Sequence, residues 1–227
     1  MMETQAASGP AALLVAVKAG DADALRAVLA RDPAAAHARG GDSPLLVALY
    51  HGRRDLAELL LAHGRRPDAF EAAALGDAER LRAVLDAEPA ASTALSSDGW
   101  TALHLAAFFG HVDAMRLLLE RGADPNARST SAMANTPLHA VLAGPAGVAG
   151  VRLLVDAGAD VNARQHGGYT ALQAAAQHGA IGIIDLLLDA GADVNAAADD
   201  GRRPVDFARQ KAQAHAEAHL RARGAAA

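Results

Sequence analysis

Apolar residues in the segment 112–120 return at three- and four-residue intervals. Val112, Met115, Leu118 and Leu119 fall on one helical face, and Asp113, Arg116 and Glu120 fall opposite. The spacing predicts an amphipathic helix with one buried stripe and one wet one. A second short helix is predicted ahead of it, running through Leu103, Ala106 and Ala107. It opens after Thr101, whose hydroxyl can cap it, and closes at Gly110. Glycine suits that position because a tight helix-to-helix turn requires a left-handed residue. Asp98-Gly99 is a turn signal before Thr101, and Gly122 stops the second helix. Neither helix can cover its apolar face alone, so the pair needs neighbours stacked on both sides.

The pattern recurs. DGWTALHLAAFFGHVDAMRLLLERGADPNAR (98–128) is followed by NTPLHAVLAGPAGVAGVRLLVDAGADVNAR (135–164) and GGYTALQAAAQHGAIGIIDLLLDAGADVNAA (167–197). The opening Thr101, Thr136 and Thr170 are 35 and 34 residues apart (136−101 and 170−136). With T-P-L-H, glycine-histidine, leucine-run and G-A-D-x-N blocks in this order, the sequence resembles the ankyrin-repeat family. The resemblance implies an all-α solenoid of stacked helix-turn-helix repeats joined by β-hairpin-like loops, with about seven repeats counting degenerate ends. On that reading 1–227 is a single repeat domain. An N-terminal cap at 10–40 is followed by repeats at 41–68, 69–96, 97–128, 129–164 and 165–197, and by a C-terminal cap at 198–224.

Departures from the pattern are informative. AGDADALRAVLARDPAA (19–35) nearly repeats as LGDAERLRAVLDAEPAA (75–91), and only 24 positions (76−52) separate the turn glycines Gly52 and Gly76, against roughly 33 in a full unit. The deficit falls in His63–Phe70, which predicts a clipped loop without a finger. Ser129–Ala134 is an insertion that lengthens the finger before Thr136, and Pro145 falls where that repeat's turn glycine belongs. In the last unit Ala212 replaces the turn glycine, while Gln213, His215, Glu217 and Arg221 suit an outer helix.

Composition narrows the function. The 227 residues are 52% hydrophobic but only 3% aromatic, so thin layers of alanine-rich helices are expected in place of a thick aromatic core. A net charge of −5 gives no attraction to phosphate backbones or anionic lipid, so neither nucleic acid nor membrane is expected as a partner. The doublets Arg53-Arg54, Arg65-Arg66 and Arg202-Arg203 are read as solvated faces. No cysteine is present, which removes disulfides, thiolate metal sites and a thiol nucleophile. In Met1–Lys18, Glu3 stands where a signal peptide wants positive charge and the apolar run Ala11–Val17 is too short to span a bilayer, so a cytoplasmic protein is expected; it is also expected to be a monomer.

The resemblance implies that a protein partner contacts the fingertips and the concave surface of the first helices. Two slots reach that surface: the residue before the opening threonine, and the two before the turn glycine. They hold Tyr50, His51, Trp100, Phe108, Phe109, Asn135, Tyr169, Gln177, His178 and Arg202, together with Ala74, Leu75, Gln210 and Lys211. Five of the chain's seven aromatics stand in these slots, and aromatic residues anchor interfaces.

Candidate chemistry is sparse. His104 and His139 sit in the T-x-L-H block and are expected to tie loop backbone by hydrogen bonds, because Gln173 fills the same slot and cannot do histidine chemistry. Asn126, Asn162 and Asn195 read as turn residues bonding their own backbone. His215 and His219, four apart with Glu217 between them, carry the alternative reading of a metal-binding protein or enzyme, but the order is not H-E-x-x-H. No phosphate loop, nucleophile elbow or cofactor motif appears, so neither cofactor nor catalysis is expected.

Overall fold

Most helix pairs open on a side chain that satisfies free N–H groups of the first turn. The computed structural model describes residues 9–38, 41–145 and 147–226. The leader reading of Met1–Lys18 therefore lies partly outside the described residues. The chain divides after Glu71 into two compact units.

In the first unit, helices α1 (Pro10–Ala19), α2 (Ala22–Arg31), α3 (Pro44–Tyr50) and α4 (Arg54–Ala62) pair consecutively, and α5 (Ala69–Leu75) begins at its end. Asp21 accepts from the N–H groups of Asp23 and Ala24 at 3.0 and 2.9 Å, and Ser43 Oγ accepts from Leu46 N–H at 3.1 Å. Leu13, Leu25, Leu29, Leu45, Leu56 and Leu60 are fully buried between the layers. After α4 the chain reaches α5 through only residues 63–68. There Arg65 departs from the solvated face read in the sequence, while Arg66 is exposed. Arg65 is only 7% exposed and Glu71 0%, and they form an ion pair. Arg65 Nη1 also donates to the carbonyls of Ala36 and Ala38 at 2.7 and 3.1 Å, and Ser43 Oγ donates to Glu71. Glu71 also accepts from Asp68 N–H at 3.3 Å. A buried pair persists only when both ions are hydrogen-bonded in this way.

The second unit continues with α6 (Ala78–Ala87), α7 (Ala102–Phe109), α8 (Val112–Glu120), α9 (Pro137–Ala143), α10 (Gly147–Asp156), α11 (Ala171–His178), α12 (Ile181–Asp189), α13 (Pro204–Gln210) and α14 (Ala214–Ala222). Two rows result. First helices α7, α9, α11 and α13 pack in succession, as do second helices α6, α8, α10, α12 and α14. First helices are buried almost all round, and Ala102, Ala106, Ala107, Ala140, Ala175, Ala176 and Ala208 let their axes approach closely. On α8 the buried stripe is Ala114, Met115, Leu117 and Leu118, while Leu119 and Val112 are only half-buried. The sequence reading placed the stripe's edges on the wrong residues, because a second helix meets its own first helix and both neighbours at once. The repeated sequences at 19–35 and 75–91 fold alike: α2 and α6 each end at an acidic residue, Asp32 or Glu88, with φ −138 or −139, followed by a proline-led 3-10 turn.

Fingers join the pairs. Each closes by a backbone bond across its base: Ser96 N–H to Trp100 O, Ser129 N–H to Asn135 O, Gln165 N–H to Tyr169 O and Ala198 N–H to Arg202 O, all 2.8–2.9 Å. Neighbouring fingers are stitched by Thr130 N–H to Gly99 O, His166 N–H to Met133 O and Asp199 N–H to Gly167 O, at 2.8–3.0 Å. Asn126, Asn162 and Asn195 do not bond their own turns as the sequence suggested. Asn126 donates to Gly158 O and accepts from Asp160 N–H, Asn162 repeats this with Gly191 and Asp193, and Asn195 with Gly224 and Ala226. Asp124, Asp160 and Asp193 make the local turns instead, which frees each asparagine to reach the next layer.

At the irregular turn after α9, Gly144 has φ −109 and is needed for space, since a Cβ there would lie 2.0 Å from Phe108 O. Two alanines adopt left-handed backbone, Ala134 at φ 45 and Ala212 at φ 55. Each stands where sibling repeats carry glycine: Gly99, Gly168 and Gly201 in the fingers, Gly110 and Gly179 at the helix turns.

Candidate functional site

At Asn135, Tyr169 and Arg202 the residue before the capping position is held from two sides. Its carbonyl closes its own finger, and it also accepts from the previous repeat. His104 Nε2 donates to Asn135 O at 3.1 Å, His139 Nε2 to Tyr169 O at 3.2 Å, and Gln173 Nε2 to Arg202 O at 3.1 Å. Each of these side chains also accepts from the N–H of its own cap, Thr101, Thr136 or Thr170. The imidazoles are therefore neutral, with Nδ1 the acceptor and Nε2 the donor. Burial pushes His104 down to about 4 and lowers His139 as well. These histidines tie the finger backbone of the following repeat, as the Gln173 comparison suggested, and are not themselves exposed reactive groups. In the last repeat Asp206 holds the same slot, accepting from Arg203 N–H at 2.9 Å.

Held this way, the slots form a furrow on the first-helix face of the second unit. Trp100 meets Phe108 edge-on at 5.5 Å, and Phe108 meets Phe109 at 5.1 Å. A hollow of about 470 Å³ opens beside Trp100 and Phe108, with Met133, Ala140 and Gln177 on its other sides. Next to it, a hollow of about 370 Å³ lies among Tyr169, Phe207, Arg202 and Lys211. Met133, Gln165, Ala174 and Gln177 border both, so the two are continuous. Tyr169 stacks edge-on against Phe207 at 5.6 Å. The Arg202 guanidinium lies 4.5 Å above the Phe207 ring and donates to Tyr169 OH at 3.1 Å and to Asp200 at 2.8 Å. That contact holds the Asp200 carboxyl below its ordinary range.

The predicted slots are thus sorted. Trp100, Phe108, Tyr169, Gln177, His178 and Arg202 border the furrow, whereas Phe109 is half-buried and borders neither hollow. Asn135 also borders the first hollow, but with less exposed surface than the other slots that border the furrow. Only 7% exposed, it is locked into the inserted finger by Ser129 Oγ, and its side chain serves that finger. Tyr50 (38% exposed) and His51 lie on the surface of the first unit, and Ala74 is buried. Sequence reasoning missed Met133, 47% exposed at the tip of the insertion, and Phe207. The register offered a signal for Phe207: it occupies the slot of Ala140 and Ala174, four residues after the cap position, which lines the furrow in those repeats although Leu105 in the same slot is buried.

The histidine pair of α14 is arranged otherwise than a metal site. His219 Nε2 lies 2.8 Å from Asp185, Glu217 is engaged by Arg209 and Arg221 at 3.1 and 3.2 Å, and His215 is exposed. Among the described residues no group of three or more histidine or carboxylate side chains is placed to hold a metal. No described helix is long and apolar enough to cross a membrane.

Comparison with known proteins agrees with the stacked pairs. The family model for the ankyrin repeat matches residues 98–130, and that for ankyrin repeats in three copies matches 129–198. The chain is 37% identical over 88 residues to ankyrin repeat and SAM domain-containing protein 6 of Mus musculus, which covers 34% of this chain and 10% of that protein. It is 42% identical over 65 residues to E3 ubiquitin-protein ligase XB3 of Oryza sativa subsp. japonica, covering 28% of this chain and 14% of the ligase. The chain thus matches only about a tenth to a seventh of these relatives' lengths. With helix pairs, capping boxes, stitched fingers and family models in agreement, the chain belongs to the ankyrin-repeat family.

Proposed function

We propose that this protein is a non-catalytic interaction module that docks a protein partner along the furrow of its second unit. Ankyrin repeats are generally protein–protein interaction modules, and the observation that supports this use here is the continuous furrow from Trp100 to Lys211. Its walls are fixed by backbone ties and capping boxes before any partner arrives, so little ordering entropy is spent on this side of the complex. Tyr50 and His51 of the first unit belong to the same reading as further contacts. A cytoplasmic, monomeric protein acting as scaffold, adaptor or inhibitor completes it. The similarity to the rice ligase covers only 14% of that protein, so it carries no ligase activity over to this chain.

Partner capture is the test. Trp100→Ala combined with Met133→Ser strips the first hollow of two anchors while leaving every capping bond in place. We expect partner retention on immobilised protein to fall to background, with circular dichroism unchanged. Full retention by the double variant moves the interface away from the furrow.

A further inference from the structure

We propose that the furrow takes an extended peptide segment bearing one large apolar side chain and, four residues away, a carboxylate. The inference rests on the reading of the furrow as the docking surface and deepens it. The first hollow is walled by Trp100, Phe108, Met133 and the small Ala140 and Ala143, which suits a single bulky apolar anchor. No aspartate or glutamate borders either hollow, although the chain as a whole carries five more acidic than basic groups. At the far end Arg202 is already neutralised by Asp200, but Lys211 is exposed and enters none of the ion pairs among the described residues. A carboxylate is the charge that complements this wall.

Spacing follows from the layers. The first hollow lies over α9, between α7 and α11, and the second lies between α11 and α13. Adjacent helix axes sit about 8–10 Å apart, so the two centres are roughly 12–15 Å apart. An extended chain rises about 3.3 Å per residue, so about four residues span that gap. An even number also keeps both side chains on the same side of the strand.

The ridge between the hollows argues for an extended backbone. Gln165 and Gln177 border both hollows, and neither side chain is hydrogen-bonded to another described residue. Each amide offers an acceptor and two donors. An extended segment presents unsatisfied N–H and C=O groups to such amides, whereas a docked helix has already spent its own.

The test is panning of a random linear dodecapeptide phage library on the full chain, followed by titration of the consensus peptide against the fluorescence of Trp100, the only tryptophan. Enriched peptides are expected to share a leucine, isoleucine, methionine or phenylalanine with an aspartate or glutamate four positions away. Lys211→Glu and Lys211→Gln should each weaken that peptide about five-fold, the worth of one partly exposed ion pair. Lys211→Glu should in turn prefer a peptide whose acid is replaced by lysine. Met133→Ser should weaken both peptides alike. Failure to enrich any linear peptide overturns the extended-segment proposal. Enriched peptides without the spaced acid, or indifferent to Lys211, overturn the charge pairing yet leave the furrow reading standing if Met133→Ser still weakens them. Binding unchanged by both Met133→Ser and Lys211→Glu removes the furrow itself.

Discussion

Acid should loosen this protein through His104, and His104→Gln should remove that sensitivity. His104 is fully buried, its Nδ1 accepts from Thr101 N–H at 3.3 Å, and its Nε2 donates to Asn135 O at 3.1 Å. A proton on Nδ1 would face the Thr101 N–H it now accepts from, on a ring that is fully buried. The folded-state value is therefore lowered from 6.5 to about 4, chiefly by burial. Between those values the unfolded chain binds a proton that the folded chain refuses. The stabilisation from the neutral ring is complete above pH 6.5 and is lost as pH falls toward 4. The full gap corresponds to about 3 kcal/mol, of which about 2 kcal/mol is gone by pH 5. Glutamine already does this job at Gln173, whose Oε1 accepts from Thr170 N–H at 2.6 Å while Nε2 donates forward to Arg202 O. His104→Gln should therefore match the parent at pH 7.5. At pH 5 it should exceed the parent by about 2 kcal/mol in urea unfolding followed by circular dichroism. Parallel loss of stability in both proteins between pH 7.5 and pH 5 would refute the argument, since every other titrating group is common to the two.

Two further outcomes follow from the backbone and the buried ion pair. Ala212→Gly relieves a left-handed alanine at the last helix turn and should raise stability by up to about 1 kcal/mol, or about 2–4 °C in Tm by calorimetry. Ala134→Gly should act in the same sense. Arg65→Met strands the fully buried Glu71 and should cost about 3–5 kcal/mol in urea unfolding, whereas pairing it with Glu71→Leu should recover most of that loss.

The sequence carried the layered fold because its signals are local. Capping threonines, turn glycines and the leucine stripe each act within one helix pair, so a 34- or 35-residue period exposes them directly. It did not carry contacts made between layers. Asn126 looks like any turn asparagine until the next repeat supplies Gly158 O and Asp160 N–H 32 and 34 residues on. Arg65 reads as half of a surface doublet, and only the shortened connection to α5 sets Glu71 beside it. The furrow was legible in part. Two slots per repeat found Trp100, Tyr169 and Gln177, but the slot of Ala140 was passed over because alanine there gives no sign of facing a groove. Phe207 was missed for that reason, and Met133 because an insertion has no equivalent in its siblings.

The forward-reaching side chains also determine how the array can be lengthened. His104, His139 and Gln173 each carry a donor for the finger that follows, but Asp206 in the corresponding slot is a carboxylate, held by Arg203 N–H and by Arg209 at 3.2 Å. A carboxylate has no hydrogen to give. Any unit grafted behind α13 and α14 would present its finger carbonyl to a second acceptor, and the new layer would begin with a repulsive contact at its base. Engineering a longer protein from this one therefore starts with Asp206→Gln, before a single residue is added.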